Sequence, residues 1–229
     1  MSQTEQLEKV VANFSSAPEG IRKQLSDGHA KFMTTWDASK TIRVGDKLPA
    51  FTMPDATGKL VSSASLLSSD KGGALLITFY RGEWCPFCNI ALSNLQKHLP
   101  EFQARGVTLV AVSPELPNNN LSTAEKHALQ FPVLTDLHNS YARELGIVYD
   151  MSAARDLHKS LGINLQERQG GSVGNGNGDG DGDGDESWDV PIPASFLVDK
   201  EGTVRNLRIE PDYWTRLDPK VALEWIDAL

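Results

Sequence analysis

Cys85 and Cys88 are the residues whose type and spacing most clearly indicate chemistry, and both lie in the segment WCPFC. With two residues between them, the sulfurs can form a disulfide, so one sulfur can resolve the other after oxidation. A strand-like apolar run, GALLITFY at 73–80, precedes the pair, and a helical pattern follows it. The first turn of a helix has unpaired N–H groups and the positive end of the helix dipole, which both stabilise a thiolate. The pattern therefore predicts a redox-active dithiol at a helix N-terminus.

The cysteine pair has two other interpretations, a metal site and ordinary core packing. A structural zinc site needs about four protein ligands, and the histidines at 29, 98, 127, 138 and 158 show no paired spacing. Cysteines also pack as small apolar residues. A CxxC that follows a strand and opens a helix favours redox chemistry over both. We therefore expect no metal ion and no organic cofactor.

The composition argues against several classes of function. The 229 residues include 22 basic and 30 acidic side chains, a net charge of −8, which is not typical of a nucleic-acid binder or of a protein held on an anionic membrane. No apolar run approaches the ~20 residues of a transmembrane helix, and MSQTEQLEKVV does not resemble a signal peptide. Two cysteines this close together cannot form the disulfide framework of a small secreted protein. We expect a cytoplasmic protein without nucleic-acid or membrane partners.

Alternating strands and helices must position the pair. Residues 1–43 predict a helical extension of two helices, the first opened by a Ser2–Glu5 capping box and the second by Ser16 and Glu19. A turn at 57–58 is expected to join two short strands. Further strands are expected at 73–80, 107–113, 131–136, 195–199 and 203–209, and helices at 92–102, 121–130, 140–145 and 222–229. The alternation predicts a second region, 44–229, with a three-layer α/β fold around a mixed sheet.

One segment does not fit this scaffold. GGSVGNGNGDGDGDGDE at 170–186 is nearly all Gly, Asn and Asp, so we expect a flexible surface insertion. Asp179, Asp181 and Asp183 match the first half of a calcium-binding EF-hand loop, but the twelfth position is Val190 instead of Glu. The pattern therefore favours an insertion over a calcium site.

The stretch from Val44 to Leu229 resembles the peroxiredoxin-like members of the alkyl hydroperoxide reductase/thiol-specific antioxidant family. The segments that carry the resemblance are VGDKLPAFTMPDATGK, FYRGEWCPFC, PIPASFLVDKEG and EPDYWTR. The resemblance implies a thioredoxin-like fold, a central mixed sheet with helices on both faces. It also implies an antioxidant enzyme that reduces hydroperoxides through a CxxC dithiol/disulfide cycle. Thioredoxin or glutathione is the implied reductant, and a homodimer is compatible with the family.

The family motif Phe-Tyr-Pro-x-x-x-Thr-x-x-Cys is altered in this chain. Aligned from Phe79, Arg81 stands at the Pro position, Cys85 at the Thr position and Cys88 at the peroxidatic cysteine. Pro193 stands where the family usually has an Arg, and it resembles the cis-proline that faces the CxxC of thioredoxins and glutaredoxins. The alteration leaves two alternatives to a peroxidase. One is a thiol–disulfide oxidoreductase with little peroxidase activity, and the other is a non-catalytic redox sensor.

The identity of the attacking sulfur is open at this point, because the thioredoxin analogy favours Cys85 and the peroxiredoxin alignment favours Cys88. Both routes end in the same Cys85–Cys88 disulfide.

The neighbours of the pair also carry expectations. Arg81 could supply a positive charge near the thiolate or be a surface residue at a strand end. Trp84 and Phe87 could form an apolar collar around the site. Glu83 is expected to face solvent, because its charge would oppose a thiolate. Arg216, in EPDYWTR, could serve packing or the rim of the site.

Overall fold

A five-stranded mixed sheet forms the centre of the structure, a computed structural model that describes residues 1–68, 73–170 and 187–229. The strands are β1 (Thr52–Pro54), β2 (Leu60–Ser62), β3 (Ala74–Phe79), β4 (Val107–Ser113), β5 (Val133–Thr135), β6 (Val148–Asp150), β7 (Asp189–Pro191), β8 (Ala194–Val198) and β9 (Val204–Ile209). The central order is β5-β4-β3-β8-β9. Strands β3, β4 and β5 are parallel, β8 runs antiparallel to β3, and β9 runs antiparallel to β8. The predicted mixed sheet is confirmed.

The apolar run of β3 explains why the sheet is covered on both faces. Leu75 and Ile77 pack into one hydrophobic core, whereas Leu76 packs into another. Successive side chains of a strand point to opposite faces, so a strand without polar alternation needs an apolar layer on each side. The predicted three-layer arrangement follows from this requirement.

Helices provide the two outer layers. They are α1 (Gln3–Ser15), α2 (Glu19–Thr35), α3 (Ser63–Leu67), α4 (Pro86–Ala104), α5 (Pro117–Lys126), α6 (Ser140–Glu144), α7 (Arg155–Ser160), α8 (Leu165–Arg168) and α9 (Pro219–Asp227). One core takes Leu7 of α1, buried leucines of α4 and Ile226 of α9. The other core takes Phe32 of α2, Leu66 of α3 and Ala142 of α6. Helices therefore cover both faces of the sheet.

The N-terminal helices were predicted correctly in number but not in every detail. The Ser2–Glu5 capping box opens α1 as expected. The Ser16 cap is wrong, because Pro18 is the N-cap residue of α2 and no side chain caps that helix. Phe32 of α2 is buried, whereas the next residue, Met33, is 42% exposed, because only one face of α2 packs on the core.

Other differences concern boundaries and one strand pair. The helix predicted at 121–130 is α5, which begins at Pro117, a residue suited to a first helical position. Strands β6 and β7 pair with each other across a long stretch of sequence, and local periodicity did not indicate them. Apart from Gly170, the predicted flexible insertion at 170–186 lies outside the described residues, as do the aspartates of the calcium alternative. None of the helices in the described ranges is long and apolar enough to cross a membrane.

Candidate active site

The two cysteines lie where β3 leads into α4. Cys85 is the N-cap residue of α4, and Pro86 occupies a first-turn position, where its missing N–H leaves no donor unpaired. The backbone N–H of Cys88 donates to the Cys85 carbonyl at 3.0 Å. The structure thus places the CxxC segment at a helix N-terminus, as the sequence predicts.

Both sulfurs are free and buried, with Cys85 1% exposed and Cys88 0% exposed. Burial, together with the hydrogen bond to Cys88, raises the pKa of Cys85 well above its usual range. Burial also acts to raise the pKa of Cys88. The hydrogen bond from Cys85, the charge of Arg216 and the Arg81 backbone N–H outweigh it and lower the pKa of Cys88 to about 5. The two opposite pKa shifts favour a thiolate on Cys88 and a thiol on Cys85 in the reduced site.

Arg216 brings a positive charge to the sulfurs from the loop between β9 and α9. Its Nη2 lies 3.1 Å from Cys88 Sγ and 3.7 Å from Cys85 Sγ. Its Nη1 donates to the carbonyls of Tyr213 and Thr215, which hold the guanidinium in place. Because the closer sulfur is that of Cys88, the guanidinium favours the thiolate there. Sequence reasoning left the role of Arg216 open, and the resemblance of EPDYWTR to the family was its one signal.

Arg81 is a buried residue, 5% exposed, so the alternative of a surface arginine is wrong. The guanidinium lies 4.7, 4.8 and 5.6 Å from the ring centroids of Tyr213, Trp84 and Tyr149. Its Nη2 lies 2.7 Å from the Met151 sulfur, a weak acceptor, and its Nε has no hydrogen-bond partner. Its charge lowers the pKa of Cys85, but burial raises that pKa by more. The Arg81 guanidinium therefore adds positive charge beside the pair, while the guanidinium of Arg216 directly contacts both sulfurs.

Trp84 and Phe87 are part of an apolar pocket that reaches Cys85. Phe87 is 3% exposed and stacks on Phe14 of α1, with ring centroids 5.8 Å apart. His158 and Trp84 form a T-shaped pair with ring centroids 5.6 Å apart. The pocket has a cavity volume of about 100 Å³, and residues of α1, α2 and the segment 149–163 complete its wall. The predicted collar is thus one part of a larger apolar enclosure.

The cis-proline expected at Pro193 is not present, since the described residues contain no cis peptide bond. The chain continues as extended backbone from β7 into β8, with the Ile192 N–H bonded to the Ile147 carbonyl and the Pro193 carbonyl accepting from Glu210. These two hydrogen bonds hold the stretch between β7 and β8 to the backbone on either side of it. Pro193 lines a small cleft together with Arg216, whereas the pocket at Cys85 is lined by other residues.

An ion-pair network holds the turn that precedes the cysteines. Glu83 does not face open solvent, because its carboxylate pairs with Arg168 at 3.1 Å. The Glu83 N–H donates at 2.8 Å to Glu115, which is fully buried and also binds Arg168. Gly82 has φ +144°, and a Cβ there would lie 2.8 Å from the Glu115 carboxylate. The turn therefore requires glycine and keeps the Glu83 charge in an ion pair.

Three of the five histidines make side-chain hydrogen bonds, at separate places in the fold. His29 lies 3.0 Å from a carboxylate oxygen of Asp212, and the Nδ1 atoms of His98 and His158 lie 2.9 and 2.8 Å from carbonyl oxygens of their own helices or turns. Across the described ranges, no group of three His, Cys, Asp or Glu residues could hold a metal ion.

Curated relatives resemble one part of the chain. A putative peroxiredoxin of Mycobacterium tuberculosis is 34% identical over 100 residues, which cover 43% of this chain and 61% of that protein. Peroxiredoxin Bcp of Escherichia coli K12 is 27% identical over 106 residues, which cover 46% of this chain and 65% of that protein. The chain thus matches less than two thirds of the length of each of these relatives.

Solved structures show the fold more completely. Peroxidoxin BcpB from Mycobacterium tuberculosis superposes with a TM-score of 0.60 at 18% identity, covering 82% of this chain and 98% of that one. AhpC from Enterococcus faecalis superposes with a TM-score of 0.58 at 17% identity, covering 81% of this chain and 90% of that one. The predicted thioredoxin-like fold is confirmed. The profile of the AhpC/TSA family matches residues 44–207, well over half of the chain, and the chain therefore belongs to the AhpC/TSA family.

Proposed function

We propose that this protein is a peroxiredoxin-like thiol peroxidase that reduces hydroperoxides through the Cys85–Cys88 dithiol. The observation that carries the proposal is the buried Cys88 sulfur, 3.1 Å from the Arg216 guanidinium and with its pKa lowered to about 5. The thiolate is the nucleophilic form of cysteine, so such a sulfur is ready to attack at neutral pH. Membership of the AhpC/TSA family supports the same activity.

The reaction starts at Cys88. Its thiolate attacks the terminal oxygen of the hydroperoxide, the O–O bond breaks, and the alkoxide or hydroxide that leaves takes up a proton from water to become the alcohol or water. The product on Cys88 is a sulfenic acid. Cys85 then attacks the Cys88 sulfur, water leaves, and the two sulfurs form a disulfide. The dithiol thus loses two electrons, which reduce the peroxide.

The assignment of Cys88 as the attacking sulfur follows the peroxiredoxin alignment over the thioredoxin analogy. Two observations support it: Arg216 lies closer to Cys88 than to Cys85, and the pKa values of the two thiols move in opposite directions. The Cys85 thiol keeps its proton and donates a hydrogen bond to the thiolate. Arg216 also lies where it can stabilise negative charge on the departing oxygen.

An external thiol completes the cycle by reducing the disulfide. Within the proposal this thiol is thioredoxin or glutathione, the compartment is the reducing cytoplasm, and the assembly is a homodimer. Sedimentation equilibrium of the reduced protein tests the dimer, since a monomer mass across the accessible concentration range contradicts it.

One experiment tests the activity and the role of each sulfur. Reduced protein is mixed with one equivalent of hydrogen peroxide or an organic hydroperoxide, and formation of the Cys85–Cys88 disulfide is followed by rapid quenching. We expect oxidation far faster than that of free cysteine. Cys85→Ser should accumulate a trappable sulfenic acid, whereas Cys88→Ser should not. Oxidation no faster than that of free cysteine contradicts the peroxidase.

A thiol–disulfide oxidoreductase is the second candidate. It is favoured by the apolar pocket that ends at Cys85, the sulfur a thioredoxin-like mechanism would use. The same assay with an oxidised small disulfide in place of peroxide discriminates the two. The second candidate requires that the disulfide oxidise the protein faster than any hydroperoxide does.

A further inference from the structure

The pocket beside Cys85 combines apolar walls with one buried cation. Its walls include Ile21 and Leu25 of α2, and Ala154, Leu157 and Ile163 from the segment 149–163. The cation is Arg81, which lines the pocket, is 5% exposed and has an unpartnered Nε. Within the part of the chain that the structure describes, no carboxylate pairs with it. A buried guanidinium without a counter-ion is costly, so the pocket favours an anion.

The acidic residues near the pocket do not supply that anion. Asp150 is exposed, and its carboxylate accepts hydrogen bonds from the N–H and the hydroxyl of Ser152, at 2.7 and 3.0 Å. Asp212 is engaged with His29 at 3.0 Å. Among the described residues, the Arg81 guanidinium thus contacts aromatic rings and the Met151 sulfur but no carboxylate, and an anion that enters the pocket can pair with it.

The pocket reaches Cys85, and Cys88 is not among the residues that line it. In the oxidised protein, a thiol in the pocket would therefore meet the Cys85 end of the disulfide. Thiol–disulfide exchange is faster when the departing thiol has a low pKa. Cys88 is the sulfur with the lowered pKa, so attack at Cys85 expels the better leaving group.

The N-terminal helices limit what can approach. Phe14 of α1 stacks on Phe87, and the side-chain amide of Gln3 donates to the Leu217 carbonyl at 2.9 Å. These helices precede residues 44–207, which the family profile matches. With them in place Cys85 is 1% exposed, and the pocket that reaches it offers a small molecule a route to this sulfur.

We propose that this pocket binds the reductant of the catalytic disulfide, a low-molecular-weight thiol with an apolar body and one carboxylate that pairs with Arg81. The inference rests on the proposed function for the origin of the disulfide. It departs from the proposed function in one respect, because a small apolar thiol acid takes the place of thioredoxin or glutathione as the preferred reductant.

The reductive step balances with two molecules of this thiol. The first, as its thiolate, attacks Cys85 Sγ, the S–S bond breaks, and Cys88 leaves as a thiolate. The second attacks the ligand sulfur of the mixed disulfide and displaces Cys85, which takes up a proton. The two thiols are oxidised to one disulfide, and their two electrons reduce the protein.

The test starts from protein oxidised with diamide, so that it does not depend on peroxidase activity. Reduction is followed with 6-mercaptohexanoate and with its uncharged analogue 6-mercaptohexanol. We expect the acid to react about tenfold faster or more, as a charge-assisted contact implies. Arg81→Gln should bring the ratio of the two rates close to one, and Arg81→Lys should restore most of it. The matched control Arg43→Gln, an exposed arginine, should keep the wild-type ratio.

Wild-type protein alone also decides the question if Arg81→Gln does not fold. Hexanoate, which has no thiol, should compete with 6-mercaptohexanoate, whereas hexanol at equal concentration should compete less. Equal rates for acid and alcohol, no competition by hexanoate, or faster reduction by thioredoxin at equal concentration would each overturn the inference. Failure of peroxide to form the disulfide overturns the proposed function instead, because the diamide assay is independent of it.

Discussion

Arg216 Nη2 lies 3.1 Å from Cys88 Sγ, although the two residues are 128 positions apart in the chain. The contact brings the loop after β9 to the first turn of α4. It places a fixed positive charge at the sulfur that the family alignment assigns to peroxide attack. Several measurable properties of the site follow from this contact and from its surroundings.

Arg216→Gln should raise the pKa of Cys88, because an opposite charge within about 4–6 Å lowers a pKa by roughly 1–3 units. We expect the midpoint of thiolate formation, followed by ultraviolet absorbance, to move up by about one to two pH units. Arg205→Gln is the matched control, since Arg205 pairs with Asp199 away from the sulfurs. An unmoved midpoint in Arg216→Gln would contradict the role of this contact.

The stability of the reduced protein should rise with pH between about 5 and 8, relative to Cys88→Ser. The pKa of Cys88 is about 5 in the folded state and about 8.5 in an unfolded chain. In this window the unfolded state binds more protons, so the free energy of unfolding increases with pH by at most about 1.4 kcal/mol per pH unit. Below the folded pKa both states are protonated and the contribution is lost.

Urea denaturation across this window, with reductant present, measures the effect. The raised pKa of Cys85 makes the free energy of unfolding fall as the pH rises. This effect begins only near and above the pKa of a cysteine in the unfolded chain, about 8.5. A constant difference between wild type and Cys88→Ser over the window would show that Cys88 is not ionised in the fold.

Glu115→Gln should destabilise the protein by about 2–4 kcal/mol, because it leaves Arg168 without its buried partner. Glu115 is 0% exposed, whereas the Arg168 side chain is 25% exposed. Because water partly solvates the Arg168 charge, the loss of unfolding free energy is smaller than for a fully buried pair. Glu83→Gln should cost less, about 1 kcal/mol or below, since that carboxylate is partly solvated. Denaturation midpoints compare the two variants. If the two variants lost the same free energy of unfolding, the buried carboxylate of Glu115 would contribute no more to the stability of the network than that of Glu83.

Phe14→Ala should make Cys85 react several-fold faster with a bulky thiol reagent. The stack of Phe14 on Phe87 holds α1 over the site, and an aromatic pair contributes about 0.5–1.5 kcal/mol. Mass spectrometry after timed labelling measures the rate at Cys85. In the control variant Met33→Ala, which changes an exposed position on α2, Cys85 should be labelled at the wild-type rate. Identical rates in both variants would contradict a covering role for α1.

Local patterns sufficed for most of the fold because they report burial and backbone preference. The run from Leu75 to Phe79 has no polar alternation, and the sheet is covered on both faces as that predicts. Gly58 and Gly202 have φ of +86° and +77°, and both stand at the turns expected between strands. The pairing of β6 with β7 was missed, because short strands joined across a long insertion leave no periodic signal.

The features of the candidate site also fall into two groups, those that the sequence predicts and those that only the folded structure shows. The sequence by itself determined the CxxC motif, the position of that motif at a helix N-terminus, and the resemblance of the chain to a redox family. Each of these features depends on residues that are neighbours along the chain. Tertiary structure decided the rest: Arg216 at the Cys88 sulfur, Arg81 buried among aromatic rings, and the N-terminal helices over the pocket. These are contacts between distant segments, which spacing along a chain does not encode. The charge and burial that set the two thiol pKa values therefore arise only when the chain folds.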